Sequence, residues 1–219
     1  MNPFEEGRAI KAMKFRNSPA NLRPYERAKQ SQRILRAARS VFIRLGPSGF
    51  SGRSVAKEAA LSLGSVQHAF PTIDSLLVAM IEQVITTYDA TYEERLAQLP
   101  LNPRTRCDAI IEYLIADTFN QDTRKFFFGL WDLGCHNKLA ATLLKEAYEY
   151  HQRRLATFIA AVRSDLDDQA CQAIALQVAS MIEGSMVYTH AGISSAAKQT
   201  IFKALRSGIQ TLIGADQET

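Results

Sequence analysis

The chain has 219 residues, 47% of them hydrophobic and 22% charged, which excludes a disordered polymer and leaves one large packed domain or two smaller ones. No run of about 18 apolar residues stands out, and charges are scattered through residues 1–20, so neither a membrane span nor a secretory leader is expected. The net charge of +4 hides an asymmetry: residues 1–70 hold 13 Lys/Arg against 4 Asp/Glu, whereas residues 71–219 hold 13 against 18. A basic first third joined to an acidic remainder points to a polyanion partner for the first part only. Cys107, Cys135 and Cys171 lack CxxC spacing, which argues against a disulfide framework and for a reducing cytoplasm.

Residues 1–24 carry Pro3, Pro19 and Pro24 among Arg8, Lys11, Lys14, Arg16 and Arg23. They read as a basic arm, either tracking phosphates or serving as an unstructured leader. The first helix is predicted over 25–45, where Ile34, Leu35, Ala38, Val41, Phe42 and Leu45 recur at three- and four-residue steps and Gly46-Pro47 stops the run. Ser51 is a cap residue for a short second helix with Val55, Ala56 and Ala59, and Ser62 caps a third reaching Ala69. Only Ala60 and Leu61 separate them, the tight joint of a helix-turn-helix. Thr72 opens a long fourth helix, ended by Leu99-Pro100. Asn102-Pro103 is a cap followed by a first-turn proline. Asp122 is expected to cap a phenylalanine-rich sixth helix that Gly134 ends. A seventh is predicted over 138–163, an eighth from the acidic turn at Asp165, Asp167 and Asp168 to His190, and a ninth over 196–213. The expected fold class is all-α with about nine helices.

On the third helix, Val66 and Phe70 face the core, which leaves Leu63, Ser65, Gln67 and His68 outward. Glutamine pairs with adenine N6/N7, serine with several bases, and an apolar side chain with a thymine methyl. Gly64 costs roughly 1 kcal/mol inside a helix, which is tolerable where backbone approaches another molecule closely. Ser62 caps a helix end whose free N–H groups suit a phosphate. With Ser51, Arg53 and Thr72, these residues form the candidate DNA-binding set: Ser51, Arg53, Ser62, Leu63, Gly64, Ser65, Gln67, His68 and Thr72. Gln67 and His68 also read as plain surface residues.

Across residues 34–77 the sequence resembles the TetR family of bacterial transcriptional regulators. The residues that carry the likeness are Ile34-Leu35, Ala37-Ala38, Phe42, Gly46, Ser51, Val55-Ala56, Ala59, Leu61-Ser62, Gly64, Val66, Phe70, Thr72 and Leu76-Leu77, in register without a gap. Gln67 stands where the family usually has tyrosine, Ile73 where it has lysine, and Ala60 where it has the turn glycine. Ala60 must then adopt a left-handed conformation, and the basic N-terminal segment is expected to carry more of the grip on DNA. The resemblance implies a three-helix DNA-binding domain over 25–71 and a regulatory and dimerisation domain over 72–219. It also implies a homodimer through the last two helices, with Ala175, Ala179, Ser180, Gly184 and Ala204 permitting close packing. The implied partners are a near-palindromic DNA operator and a small-molecule effector that releases a repressor. Phe119, Phe127, Trp131, Tyr148, His151, Met181 and His190 are candidates to line the effector cavity, although an aromatic stripe is equally the mark of plain core.

No catalytic constellation, phosphate loop or dinucleotide fingerprint is recognisable. No enzyme activity, cofactor or metal site is therefore expected. The alternative reading is a ligand-independent basic DNA-binding or architectural protein.

Overall fold

A computed structural model of the protein describes residues 22–190 and 192–214. The expected basic arm lies outside these residues, apart from 22–24, whose backbone is already helical. Contacts divide the chain into two units, 1–32 and 33–219, and of the first only the opening turns of one helix are described.

Among the described residues there are nine helices: α1 (Leu22–Gly49), α2 (Gly52–Glu58), α3 (Leu63–Ala69), α4 (Ile73–Ala97), α5 (Pro103–Asp117), α6 (Gln121–His136), α7 (Lys138–Val162), α8 (Asp168–His190) and α9 (Ser195–Ile213). The fold is all-α, as the sequence predicts. Gly46 breaks α1 with φ 67° and ψ −175°, which turns the chain toward α2. Local side chains start most of the other helices. Ser51 accepts from the Ser54 N–H, Ser62 from Ser65, Thr72 from Ser75 and Asn102 from Thr105. Each such cap typically contributes about 1 kcal/mol.

Two sequence expectations need correction. The cap of α6 is Asn120, whose carboxamide oxygen accepts from the N–H groups of Asp122 and Thr123. Gly134 does not end α6, which continues to His136 and passes into α7 through Asn137. A Cβ at Gly134 would stand 2.5 Å from Leu144 Cδ1, so the glycine lets α6 and α7 lie close together.

Two hydrophobic clusters organise the second unit. The first joins Ile34, Val41 and Phe42 of α1 to Val55, Val66, Leu76 and Met80, and it also takes in Phe126 and Leu130 of α6. The second joins Tyr92 of α4 to Ile110 and Ile115 of α5, Leu155 and Ile159 of α7, Val178 and Ile182 of α8, and Ile209 and Ile213 of α9. Burying each of these large side chains contributes about 1.5–3 kcal/mol.

The expectation that no segment is apolar enough to span a membrane also needs correction. By length and composition α8 qualifies, with a mean hydropathy of 1.2 over 18 residues. Part of that apolarity serves the core, because Cys171, Ala175, Val178, Ile182 and Met186 are buried.

Candidate nucleic-acid interface and internal cavity

The helix-turn-helix depends on small residues where α2 meets α3. Ala56 and Ala59 are buried beside Val55 and Val66. The joint turns at Ala60, which has φ 49° and is the one non-glycine residue with positive φ among those described. That conformation costs a residue other than glycine roughly 1–2 kcal/mol. Hydrogen bonds hold it in place: the Leu61 N–H donates to the Ala56 carbonyl at 3.0 Å, and the Arg33 guanidinium donates to the Ala60 carbonyl at 3.4 Å. On the other side of the motif, Glu58 accepts from Ser40 at 2.8 Å and from Arg44 at 2.7 Å. Those donors hold the Glu58 carboxyl below its ordinary value.

The DNA-binding candidates do not all share one environment. Ser51, Arg53, Ser62, Gly64, Gln67, His68 and Thr72 are exposed. Ser51, Arg53, Gln67 and Thr72 come together around a groove of about 360 Å³ where the starts of α2 and α4 meet α3. Leu63 departs from the outward placement, being half-buried against the first cluster with its Cδ1 toward Gly52. Ser65 is also half-buried, and its hydroxyl lies 2.8 Å from that of Ser62. A Cβ at Gly64 would meet nothing closer than Ser62 Oγ at 3.8 Å, so nothing within the chain requires glycine there.

Between α4, α5, α6, α7 and α8 lies an internal cavity of about 100 Å³. Of the residues that the resemblance nominated, Phe127, Tyr148 and His151 line it. Trp131 lies behind this wall, where its indole Nε1 donates to the Tyr148 hydroxyl at 2.6 Å. Phe119 and Met181 instead pack against the second cluster, and His190 is exposed against the Phe128 ring at 4.7 Å.

The wall also holds groups that the sequence reading passed over: Tyr88, Asp89, Tyr92, Asp117, Tyr150, Arg154 and Glu183. Asp117 accepts from Tyr88 at 2.5 Å and from Thr123 at 3.0 Å. Asp89 accepts from Tyr150 at 2.5 Å and pairs with Arg154 at 3.4 Å. Burial raises Tyr88 and Tyr148 beyond the usual phenol range and Tyr150 to about 12. It holds His151 down at about 4, despite the nearby Asp89 charge. It pushes the Glu183 carboxyl up to about 7, against the lowering effect of the nearby Tyr148 hydroxyl. One signal for Glu183 was available in the sequence, since it is the single charged residue between Asp168 and His190.

Comparison with known proteins agrees with both halves of this architecture. The family described as BetI-type transcriptional repressor, C-terminal, matches residues 103–214, and that described as Bacterial regulatory proteins, tetR family, matches residues 34–80. Over 154 residues the chain is 27% identical to the HTH-type transcriptional regulator BetI of Vibrio campbellii, an alignment covering 69% of this chain and 75% of that one. Similar solved structures include a TetR transcription regulator from Haloarcula marismortui, with TM-score 0.70 and 14% identity over 85% of this chain and 97% of that one. Another is a transcriptional regulator from Saccharomonospora viridis in complex with choline, with TM-score 0.68 and 17% identity over 84% of this chain and 96% of that one. The chain therefore belongs to the TetR family of DNA-binding transcriptional regulators, with a C-terminal part of the BetI type.

Proposed function

We propose that the protein is a homodimeric repressor released from its operator by a small organic cation bound in the cavity between α4 and α8. The observation that carries the ligand class is the wall itself, where four tyrosines and two phenylalanines surround three carboxylates and a single arginine. Aromatic faces and carboxylates together suit a quaternary ammonium or similar cation. The choline bound in the Saccharomonospora viridis neighbour is of that chemistry.

In this reading, residues 25–71 bind DNA and 72–219 regulate and dimerise. Arg53, Gln67, His68 and Thr72 face the duplex, with the caps Ser51 and Ser62 beside phosphates. Two copies of α3 enter successive major grooves about 34–36 Å apart. The dimer face lies on α8 and α9. Leu176 and Val187 of α8 are 55% and 58% exposed, and with Ser180 and Gly184 they follow at three- and four-residue steps. Ala175 is not on that face, being wholly buried in the chain's own core. The three free cysteines suit action in the cytoplasm.

Selection of bound duplexes from a random pool tests this function. The expected product is a near-palindrome whose affinity falls steeply with salt. Equal affinity for all duplexes would refute sequence-specific regulation. A second result is expected at Gly64, where Gly64→Ala meets no clash in the chain. The variant should gain roughly 1 kcal/mol of stability while losing about tenfold in operator affinity, the worth of one phosphate hydrogen bond. Melting curves and fluorescence anisotropy would show the two quantities moving in opposite directions. Unchanged operator binding would place the DNA backbone away from this residue.

A further inference from the structure

The three carboxylates of the cavity are not equivalent. Asp89 is taken by Arg154 and Tyr150, and Asp117 by Tyr88 and Thr123. Glu183, half-buried on the same wall, forms no ion pair with any of the described residues. An isolated carboxylate is costly to bury, and it either takes up a proton or waits for a cation.

We propose that Glu183 is the anionic partner of the effector's positive charge, and that a proton holds this carboxyl when the cavity is empty. Effector binding then expels that proton to solvent, and no net charge is added to the site. The proposal rests on the cationic-effector reading above and adds to it the recognising residue and a coupling to pH.

The other groups facing Glu183 leave this exchange undisturbed between pH 6 and 8. From α4 come Tyr88, Asp89 and Tyr92, and from α5 comes Asp117. From α7 come Tyr148, Tyr150, His151 and Arg154, whereas the α6 side chains lining the cavity are apolar. The phenols are raised by burial and stay neutral, and His151 loses its proton well below this window. Arg154 is already paired with Asp89. Glu183, near 7, is the group that changes state as effector binds.

Trp131 is the chain's only tryptophan and donates to Tyr148 on the cavity wall, so its emission reports occupancy. Choline is the probe, with 3,3-dimethylbutan-1-ol as an uncharged analogue of the same shape. Wild-type protein should bind choline about tenfold more weakly at pH 6 than at pH 8, the ratio linkage gives for a carboxyl near 7 that must ionise. Calorimetry in two buffers of different ionisation enthalpy should show proton release on binding at pH 6, which needs no variant. Glu183→Gln should weaken choline binding by roughly thirtyfold at pH 8 and remove the pH slope. The uncharged analogue should bind the variant and the wild type alike, at either pH. Choline binding without a pH slope or proton release would overturn the Glu183 assignment alone. Failure of the wild type to bind either choline or tetraethylammonium would overturn the cationic-effector reading and the assignment together.

Discussion

Phe42→Ala is expected to destabilise the protein by about 3–5 kcal/mol, the usual range for emptying a buried phenylalanine site. The Phe42 ring is fully buried, edge-on to Phe50 at 5.4 Å and tilted against Phe126 at 5.5 Å. Little can relax into the space. A Cβ on Gly129 of α6 would already stand 3.0 Å from the Phe42 ring, so the two helices are in close contact there. Phe126 has a double position, on the cavity wall and against Phe42. Phe42 in turn belongs to the cluster that holds Val55 and Val66 of the helix-turn-helix. A change of side-chain packing at the cavity therefore has a two-ring route to the DNA-binding helices. Phe42→Leu keeps most of the volume and should cost about 1 kcal/mol. It should retain operator binding while blunting release by effector. Urea denaturation measures the first effect, and operator anisotropy titrated with choline the second. A Phe42→Leu protein that responds to effector like wild type would show that coupling runs elsewhere.

The next largest effect is on stability against pH. Burial holds His151 at about 4, whereas a free histidine takes its proton near 6.5. Between those values the unfolded chain binds a proton that the native state refuses. Taken alone, His151 thus removes stability as pH falls from about 6.5 toward 4, on the order of 3 kcal/mol in full. Glu183 acts in the opposite direction, because its native value near 7 lies above the ordinary 4.5. Its contribution is complete below the unfolded value and is lost as pH rises through 7. Because both groups act between about pH 4.5 and 6.5, their effects largely offset there, and urea midpoints of the ligand-free wild type should stay nearly flat across that range. His151→Gln should unmask the Glu183 loss as pH rises from about 4.5 to 7, and Glu183→Gln the His151 loss as pH falls from about 6.5 to 4. A constant difference between His151→Gln and wild type across that range would show that the imidazole is not held neutral by its site.

Most helix boundaries and the helix-turn-helix were legible in the sequence because their determinants are local. Ser51, Ser62, Thr72 and Asn102 each cap a backbone N–H three residues ahead. Gly46 marks the end of the first run, and Ala60 takes the left-handed turn that its place in the motif demands. Errors arose where two local signals competed or where a distant helix intervened. Asn120 outcompetes Asp122 as a cap because its oxygen reaches two N–H groups. Gly134 reads as a stop signal, yet it stands there to admit Leu144 from the next helix.

By itself, the chain's order of residues determined an all-α fold, a basic first third and the scaffold of a DNA-reading motif. These follow from periodicity, caps and charge counts within a few turns of helix. Only the tertiary structure decided the cavity. It separated Phe127, Tyr148 and His151 from Phe119, Met181 and His190, and it set Asp89 beside Tyr150 across 61 residues of sequence. It also left Glu183 half-buried on the cavity wall, without a cation among the described residues. Which carboxylate is satisfied and which is left alone depends on five helices meeting, and helical spacing along any one of them carries no record of that.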